Sequence, residues 1–373
     1  MKHKVFHLLT TLDAGDVEKH LLALLSHLDR TRWDVSVGYL EGEGAWAGRF
    51  RDIEIPVHDF HVRAAFAPIA LSRLKSHLRR LEPDILHVHL TKAPSRGHAA
   101  ALAARAAVTV STVHRNIRFR SVRRARAALA RSDAVVAVSH AIVEGLERTG
   151  AVPPEKIHCI PYGLDLDAFD HETRPTELRR AFGLPRELRL TLSVVRRASA
   201  GQLRKLVLDA HVLSHQFPEF VLLLVGLEGS AERKVERLVA RLRLTHTVVT
   251  TGWRDDLAGV LKETDILVVS SAEEDSTYLV LEGLAAGIPV IAARGTSGAE
   301  VVLDEATGIL FDADTPDALV SSLGRFLGAP ELARLMGSAG RTRVETDFSA
   351  QRMVRAVEIL YDGLLARTAE TPP

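Results

Sequence analysis

The chain has 373 residues, of which 46% are hydrophobic and 25% are charged, values typical of a soluble globular protein and too apolar for a disordered one. This length exceeds what one hydrophobic core usually organises, so two domains are expected. A net charge of +1 excludes a globally basic nucleic-acid-binding protein, and the single cysteine, Cys159, excludes an intrachain disulfide and a four-cysteine zinc site.

Short β-branched runs alternate with longer amphipathic runs along the first half of the chain. The opening residues read as a strand rather than as a signal peptide, and no apolar run approaches the roughly 18 residues of a transmembrane helix. The predicted strands are residues 4–9, 33–39, 55–60, 85–90, 108–113, 134–138 and 156–160. Helical periodicity is found between them at residues 17–28, 71–81, 99–106 and 141–149.

The same alternation restarts in the second half, after a stretch rich in proline, glycine and charge. Its predicted strands are residues 188–195, 220–226, 247–251, 266–270, 289–293 and 308–311, followed by a helical tail at 330–366. Two series of buried strands and helices predict an α/β protein of two doubly wound parallel-sheet (Rossmann-like) domains facing across a cleft. We expect the domains at residues 1–165 and 188–350, a linker at 166–187, and a C-terminal helix at 351–373 that could pack back on the first domain.

The segment around Glu274 and Glu282 carries the clearest chemical signal. A predicted strand at 266–270 leads into a loop that holds Glu274, and a helix is predicted to open near Ser276 and Thr277, whose hydroxyls are good N-caps. A helix N-terminus suits a diphosphate, and Glu282, about one turn into the helix, can accept hydrogen bonds from sugar hydroxyls. The alternative interpretation is that both acids only cap and solvate the helix start.

These two glutamates, with seven residues between them, are followed by the run AAGIPVIA at 285–292. The pattern is similar to the donor-site motif of family 4 glycosyltransferases, which are retaining enzymes of the GT-B fold. The resemblance extends in order over nearly the whole chain. Its other segments are GDVE at 15–18, PDILHVH at 83–89, TVH at 112–114, SDAVVAVS at 132–139, PPEKIHCIPYGLD at 153–165, LLLVG at 222–226, TG at 251–252 and GILF at 308–311.

The resemblance implies roles for single residues. Glu274 would lie by the donor sugar, Glu282 would hold the nucleotide ribose, and His114 would lie close to the reacting sugar, although a lone histidine at a strand end is also a common structural residue. For His87 and His89, which alternate onto one strand face, packing is the favoured role. The family implies a UDP- or GDP-sugar donor as substrate, with no cofactor, metal or covalent nucleophile.

The donor-phosphate motifs of the family are altered in this chain. Its N-terminal loop usually carries two glycines, whereas Gly15 is followed here by Asp16. The cations that the family places after the first strand of the second domain map to Arg196 or Arg197, with Lys205 as a substitute for a missing lysine. The helix start at Ser276 and Thr277 completes the predicted phosphate-binding set, but Gly-Phe is replaced there by Asp275-Ser276.

Positive charge is concentrated in one region of the first domain. From residue 61 to residue 131 the chain has fifteen lysines and arginines against two acids, and the densest part runs from Arg115 to Arg131. A basic amphipathic helix there would rest on an anionic membrane surface and receive a lipid-linked acceptor; the alternative is a solvated face. Nucleic acid is not expected as a partner, because aromatic residues are not interleaved with the arginines.

These observations predict a retaining hexosyltransferase that moves a sugar from a nucleotide-diphosphate sugar to a hydroxyl acceptor, a lipid-linked or cell-envelope glycan. Polysaccharide biosynthesis in the cytoplasm, peripheral to the inner membrane face, would suit such an enzyme. The altered phosphate motifs leave as the main alternative a catalytically degenerate GT-B pseudo-enzyme that acts as a partner or scaffold subunit. A sugar-nucleotide epimerase on the same fold, which would work without an acceptor, is a third interpretation.

Overall fold

The computed structural model describes residues 2–370 apart from residues 14, 61–66, 91–100, 102–105, 116–128, 151, 173–176, 196–197, 255, 271–276 and 297. The chain forms two compact units. The first comprises Met1–Gly163 together with Ala350–Pro373, and the second comprises Leu164–Ser349. Residues 166–187, which the sequence analysis interpreted as a linker, hold two short helices and cluster with the second unit.

The first unit is built on a seven-stranded parallel sheet in the order β3-β2-β1-β4-β5-β6-β7. Its strands are β1 His3–Leu9, β2 Trp33–Tyr39, β3 Val57–Asp59, β4 Ile85–Leu90, β5 Val108–Val113, β6 Ala134–Ala137 and β7 Ile157–Cys159. Its α-helices in the described residues up to 163 are α1 Asp16–His27, α2 Ala47–Asp52, α3 Ala67–Leu81 and α4 His140–Thr149. Strands β4 and β5 are buried at every position, as expected for a parallel sheet covered on both faces.

Two details of this sheet follow from the sequence. Strand β3 is shorter than the predicted 55–60, because Pro56 has no backbone N–H for a ladder; its carbonyl accepts from Val37 instead. In the pairing of β1 with β4, His7 lies directly beside His87. Since side chains alternate across a strand, His7, His87 and His89 all point to the same face of the sheet, and Phe6 points to the other.

The second unit is built on a six-stranded parallel sheet in the order β10-β9-β8-β11-β12-β13. Its strands are β8 Arg189–Val194, β9 Phe220–Val225, β10 Val248–Thr251, β11 Ile266–Val269, β12 Val290–Ala293 and β13 Gly308–Phe311. Its α-helices among the described residues are α5 Leu166–Glu172, α6 Leu178–Ala181, α7 Ala200–Gln216, α8 Gly229–Arg241, α9 Leu257–Leu261, α10 Thr277–Ala285, α11 Ala318–Gly328 and α12 Pro330–Asp347.

Helices α10 and α12 approach each other closely at two glycines of α12. A Cβ atom at Gly337 would overlap the backbone carbonyl of Gly287, and one at Gly340 would meet Cδ2 of Leu284 at 2.5 Å. The spacing of these glycines, three residues apart, places both on one face of the helix. The absence of side chains on that face therefore sets how near α12 comes to the turn after α10.

The helical tail predicted at 330–366 is interrupted. Helix α12 ends at Asp347, and a new helix, α13 (Ala350–Glu370), belongs to the first unit. Apolar side chains of α13 recur every three or four positions and join the core under α1 and the sheet. The indole N–H of Trp33 donates to Glu358 at 3.1 Å, and Arg32 forms two hydrogen bonds with Asp362 at 2.6 and 2.8 Å. Among the described residues, no helix combines the length and the hydropathy of a membrane span.

Candidate functional site

Both sheets have a point at which the strand order reverses, and ligands of doubly wound sheets bind outside the carboxyl ends of the strands at that point. In the first unit the reversal lies between β1 and β4, and in the second it lies between β8 and β11. The predicted site residues follow these strands or their neighbours in the chain. Gly15 and His114 belong to the first unit, and Lys205, Thr277 and Glu282 to the second.

In the second unit, helix α10 carries a buried carboxylate. Helix α10 begins at Thr277 and holds Glu282 in its second turn, with 6% of that residue exposed. Every other residue of this helix after Thr277 is buried, and each of them is glycine, aliphatic or, at Tyr278, aromatic. Carboxylates are rarely buried, so Glu282 is the polar feature of this helix around which a site in this unit is best placed.

The other predicted residues of this segment, Glu274 and Ser276, lie outside the described residues, as do Arg196 and Arg197 after β8. The roles of these four residues stay predictions. Helix α7 does begin as a capped helix near them, since Ser199 and Gln202 form a reciprocal capping box.

Lys205 is held along its own helix by a neighbouring acid. Its ammonium lies 2.9 and 3.2 Å from the two carboxylate oxygens of Asp209, one turn further on. Burial raises the pKa of Asp209 even though the Lys205 ammonium opposes that change. A phosphate that binds Lys205 would therefore have to compete with the Asp209 carboxylate for the Lys205 ammonium.

In the first unit, the start of α1 is acidic. Gly15 is the extended residue before the helix, and Asp16 and Glu18 lie in the first turn. The N-terminal N–H groups of a helix favour an anion, whether it is a side chain or a bound phosphate. The two carboxylates thus place negative charge at the helix start where the sequence predicted a donor phosphate.

A chain of buried imidazoles lies at the reversal point of the same sheet. His7 is on β1, His89 is on β4, and His114 directly follows β5. The Nδ1 atom of His7 lies 3.0 Å from Nε2 of His89, Nδ1 of His89 lies 3.0 Å from Nε2 of His114, and Nδ1 of His114 lies 2.9 Å from the Tyr162 hydroxyl. We call these four residues the imidazole chain.

Two further histidines pack against this chain. His20, on α1, has its ring centroid 5.3 Å from that of His114 and 5.1 Å from that of Tyr162. The ring of His87 stacks on that of His89 at 4.5 Å and is hydrogen-bonded on both sides, to the Tyr361 hydroxyl at 2.5 Å and to the Thr112 hydroxyl at 2.6 Å. The hydrogen bond to Tyr361 ties helix α13 to the centre of the sheet.

Burial keeps all five histidines uncharged. It lowers the pKa of His7, helped by repulsion from His20, and that of His20, each to about 3. Burial likewise holds the pKa values of His87, His89 and His114 well below the usual range, with the neighbouring imidazoles adding to the effect. The polar cluster is therefore a set of neutral rings that donate and accept hydrogen bonds without charge.

His7, His87 and His89 form the one group in the described part of the chain whose ligand atoms lie near enough to one another, within 4.8 Å, to hold a metal ion. Both nitrogens of His87 and both nitrogens of His89 are already hydrogen-bonded, and only Nε2 of His7 has no partner among the described residues. A metal would have to break several of these bonds, so the geometry fits a hydrogen-bonded cluster better than a metal site.

The structure places the predicted His114 at 5% exposure with both ring nitrogens engaged. A sugar hydroxyl would reach its Nδ1 by taking the place of Tyr162. No role was predicted from the sequence for His7, His20 or Tyr162. For the two histidines, the sequence signal was the recurrence of histidine on elements that converge at one sheet edge, namely β1, α1, β4 and the end of β5. Of the basic stretch, residues 116–128 lie outside the described residues.

Sequence models of two families match the chain. The model for Glycosyltransferase Family 4 matches residues 17–168, and the model for Glycosyl transferases group 1 matches residues 175–343. These two ranges correspond to the two units and together include Lys205, Thr277, Glu282 and His114.

Individual relatives agree with this result. An MMP alpha-(1->4)-mannosyltransferase of Mycolicibacterium hassiacum is 28% identical over 63% of this chain, and the match spans only 55% of that relative. A UDP-Gal:alpha-D-GlcNAc-diphosphoundecaprenol alpha-1,3-galactosyltransferase of Escherichia coli is 23% identical over 81% of this chain and 84% of its own length.

A solved structure shows the same fold. The crystal structure of Anabaena HepE in complex with UDP has a TM-score of 0.80 at 18% identity and covers 97% of this chain and 100% of its own. The predicted fold class, two parallel-sheet α/β units of the GT-B type, is confirmed.

Proposed function

The chain belongs to the glycosyltransferases that these two sequence models describe, and on that basis we propose that it transfers a sugar from a nucleotide diphosphate to a hydroxyl acceptor. The observation that carries the proposal is Glu282, a carboxylate buried in an otherwise apolar helix beside the strand-order reversal of the second sheet. A buried acid there is suited to accept hydrogen bonds from the hydroxyls of a ribose.

The chemistry of such a transfer needs stabilisation of a departing diphosphate rather than a nucleophile on the protein. Amides at helix starts and cationic side chains supply that stabilisation. In this proposal Arg196, Arg197 and Lys205 face the phosphates with Ser276 and Thr277, while Glu274 and His114 position the sugar. Retention of configuration at the anomeric carbon is part of the proposal.

The proposed acceptor is a lipid-linked or cell-envelope glycan. Support comes from the Escherichia coli relative, whose name specifies a diphosphoundecaprenol substrate, and from the fifteen basic residues between 61 and 131. Such an enzyme would work in the cytoplasm at the inner membrane face. Replacing Arg120, Arg123, Arg124 and Arg126 by serine should reduce sedimentation with anionic vesicles, more so at low salt; unchanged sedimentation would remove this part of the proposal.

A second candidate is a pseudo-enzyme of the same fold that acts as a partner subunit. Two observations favour it: the acids in the first turn of α1, and the pairing of Lys205 with Asp209. Both reduce the net positive charge available to a diphosphate.

Calorimetric titration with UDP and GDP separates the two candidates. We expect the wild type to bind one of them, and Glu282→Ala to bind about 10- to 100-fold more weakly, as for a lost hydrogen bond to a charged group. Glu282→Gln keeps the side-chain volume and should show most of the same loss, which separates charge from packing. Glu236→Ala, at an exposed glutamate of α8, is the matched control and should bind like the wild type.

Absence of any heat of binding in the wild type with both nucleotides would contradict the transferase and leave the pseudo-enzyme. Full nucleotide affinity in Glu282→Ala would contradict the role given to Glu282, provided that the variant unfolds at nearly the wild-type temperature.

A further inference from the structure

The imidazole chain ends at a ring nitrogen, Nε2 of His7, that has no hydrogen-bond partner among the described residues. Each neutral imidazole carries one N–H and one bare nitrogen, so three histidines joined through their nitrogens must all donate in the same direction. Either His7 donates to His89, His89 to His114 and His114 to Tyr162, or every one of these bonds is reversed. Any mixed arrangement would bring two N–H groups, or two lone pairs, together at about 3.0 Å.

The two directions differ in what they leave at the buried end. His7 is fully buried, and its Nε2 has no hydrogen-bond partner in the described part of the chain. If the chain donates toward Tyr162, that atom is a bare lone pair. If it donates toward His7, that atom is an N–H buried without an acceptor, which is rarer in proteins than a buried acceptor without a donor. The unpartnered Nε2 of His7 therefore favours donation toward Tyr162, with the proton of each histidine on Nδ1.

The Tyr162 end of the imidazole chain is compatible with this direction of donation. The Tyr162 hydroxyl oxygen can take the hydrogen bond from Nδ1 of His114, because a phenol both donates and accepts. His114 is also held from its backbone, since its N–H donates to the carbonyl of Leu90 at 3.1 Å. The rings of His20 and His114 pack in a T-shaped arrangement with an interplanar angle of 68°. His114 is thus fixed by contacts on several sides, and His89 is the residue that occupies its Nε2.

We infer that His89, with His7 behind it, is a positioning residue that fixes His114 as the Nδ1–H tautomer and so makes it a hydrogen-bond donor toward Tyr162 or toward a sugar hydroxyl in its place. The inference rests on the proposed function, in which His114 lies by the donor sugar. Donation from His89 blocks the other tautomer outright, because an N–H on Nε2 of His114 would meet the N–H of His89.

The neutral, fixed ring suits the proposed reaction. The transition state of glycosyl transfer carries positive charge on the sugar ring, and an imidazolium at the same place would repel it. Because the hydrogen bonds of the chain use both nitrogens of His114, the ring orients a hydroxyl and does not exchange a proton with the substrate. Its contribution to the rate is therefore geometric.

The tautomer is measured directly by two-bond ¹H–¹⁵N correlation spectra of the full chain labelled with ¹⁵N-histidine. The expected result is that His7, His89 and His114 all give the pattern of the Nδ1–H tautomer at pH 7.5. A spectrum with His114 as Nε2–H, or as a mixture, would overturn the inference. This measurement does not depend on turnover, so a wild type without transferase activity would refute the proposed function and leave the tautomer result to decide the inference.

Variants of His89 test the positioning role. His89→Phe keeps an aromatic ring in the stack but removes the donor to His114, and His89→Asn places an amide near the position of Nδ1 and can still donate. We expect His89→Phe to show Nε2–H signal at His114 and a kcat about tenfold lower, the size of one lost hydrogen bond, with little change in KM for the nucleotide sugar. His89→Asn should restore the Nδ1–H pattern and most of kcat.

The matched control is His77→Phe, the same substitution at a histidine that packs on Phe6, on the opposite face of the same sheet. It should leave both the spectrum of His114 and kcat unchanged. The inference is wrong if His89→Phe stays folded and keeps the wild-type tautomer at His114, or if its kcat equals that of the control.

Discussion

Acidification is expected to unfold the first unit well before ordinary acid denaturation. Five histidines are buried in its core, and their rings are neutral because burial lowers the pKa of each of them. In the unfolded chain the same rings are exposed to water and titrate near 6.5. Between the two pKa values the unfolded chain binds more protons than the folded one, so the free energy of unfolding falls as the pH falls.

The magnitude follows from His7 and His20, whose pKa values in the folded unit are about 3. Each group lowers the free energy of unfolding by about 1.4 kcal/mol per pH unit once the pH is below 6.5. The two together should remove about 4 kcal/mol between pH 8 and pH 5. His87, His89 and His114 act in the same direction. Since a domain is stable by only about 5–15 kcal/mol, the loss is a large part of the total.

The assay is guanidinium denaturation at a series of pH values, with a probe that reports on the first unit. The chain has three tryptophans, and Trp33 and Trp46 belong to the first unit while Trp253 belongs to the second. In a Trp253→Phe background, tryptophan fluorescence follows the first unit alone. The midpoint should drop steadily from pH 7 to pH 5, the window in which few carboxylates titrate.

Two variants sharpen this test. His20→Leu removes one buried imidazole and should reduce the slope by about one proton, or 1.4 kcal/mol per pH unit. His140→Gln, at an exposed histidine of the same unit, should leave the slope unchanged. A free energy of unfolding that is flat from pH 7 to pH 5 would refute the reasoning, because it would mean that the buried rings gain protons as easily as free ones.

Two further predictions concern the second unit. Gly337→Ala should lower its free energy of unfolding by about 1–3 kcal/mol, because the added Cβ would overlap the Gly287 carbonyl. The control in chemical denaturation is Gly324→Ala in α11 of the same unit, where the atom nearest to an added Cβ, Cε2 of Phe217, lies at 3.7 Å. Equal stability of both variants would contradict the close packing of α12. Asp209→Asn should free Lys205 from its ion pair and raise the affinity for UDP or GDP about two- to fivefold. Lys205→Ala should lower that affinity. If calorimetry shows no change in either variant, Lys205 is excluded from the phosphate site.

Much of the fold could be predicted because its information is local. Thirteen strands were predicted, and each observed strand end lies within two residues of the predicted one. A buried β-branched run between amphipathic stretches has few other interpretations. The helix that carries Glu282 was expected to open near Ser276 and Thr277, and it begins at Thr277 among the described residues. Periodicity also placed His87 and His89 on one face of their strand.

The sequence suggested that a helix at 351–373 could pack back on the first domain, but it did not show where the helical tail would break or which side chains of distant segments would meet. The break at Phe348 and Ser349 divides a tail that is helical by pattern throughout, and it sends α13 to the first unit, where Tyr361 meets His87 across 274 residues. Helical propensity does not record which sheet a helix will cover. That choice depends on the apolar face of α13 fitting the surface beside α1.

The amino-acid sequence by itself determined the two series of parallel strands, the family motifs and the place of Glu282 on a helix, because each is a property of neighbouring residues. Only the tertiary structure decided that His7, His89, His114 and Tyr162 form one hydrogen-bonded chain. The physical reason is that hydrogen bonds form over about 3 Å, and strand register and helix packing bring ring nitrogens from separate elements to that distance.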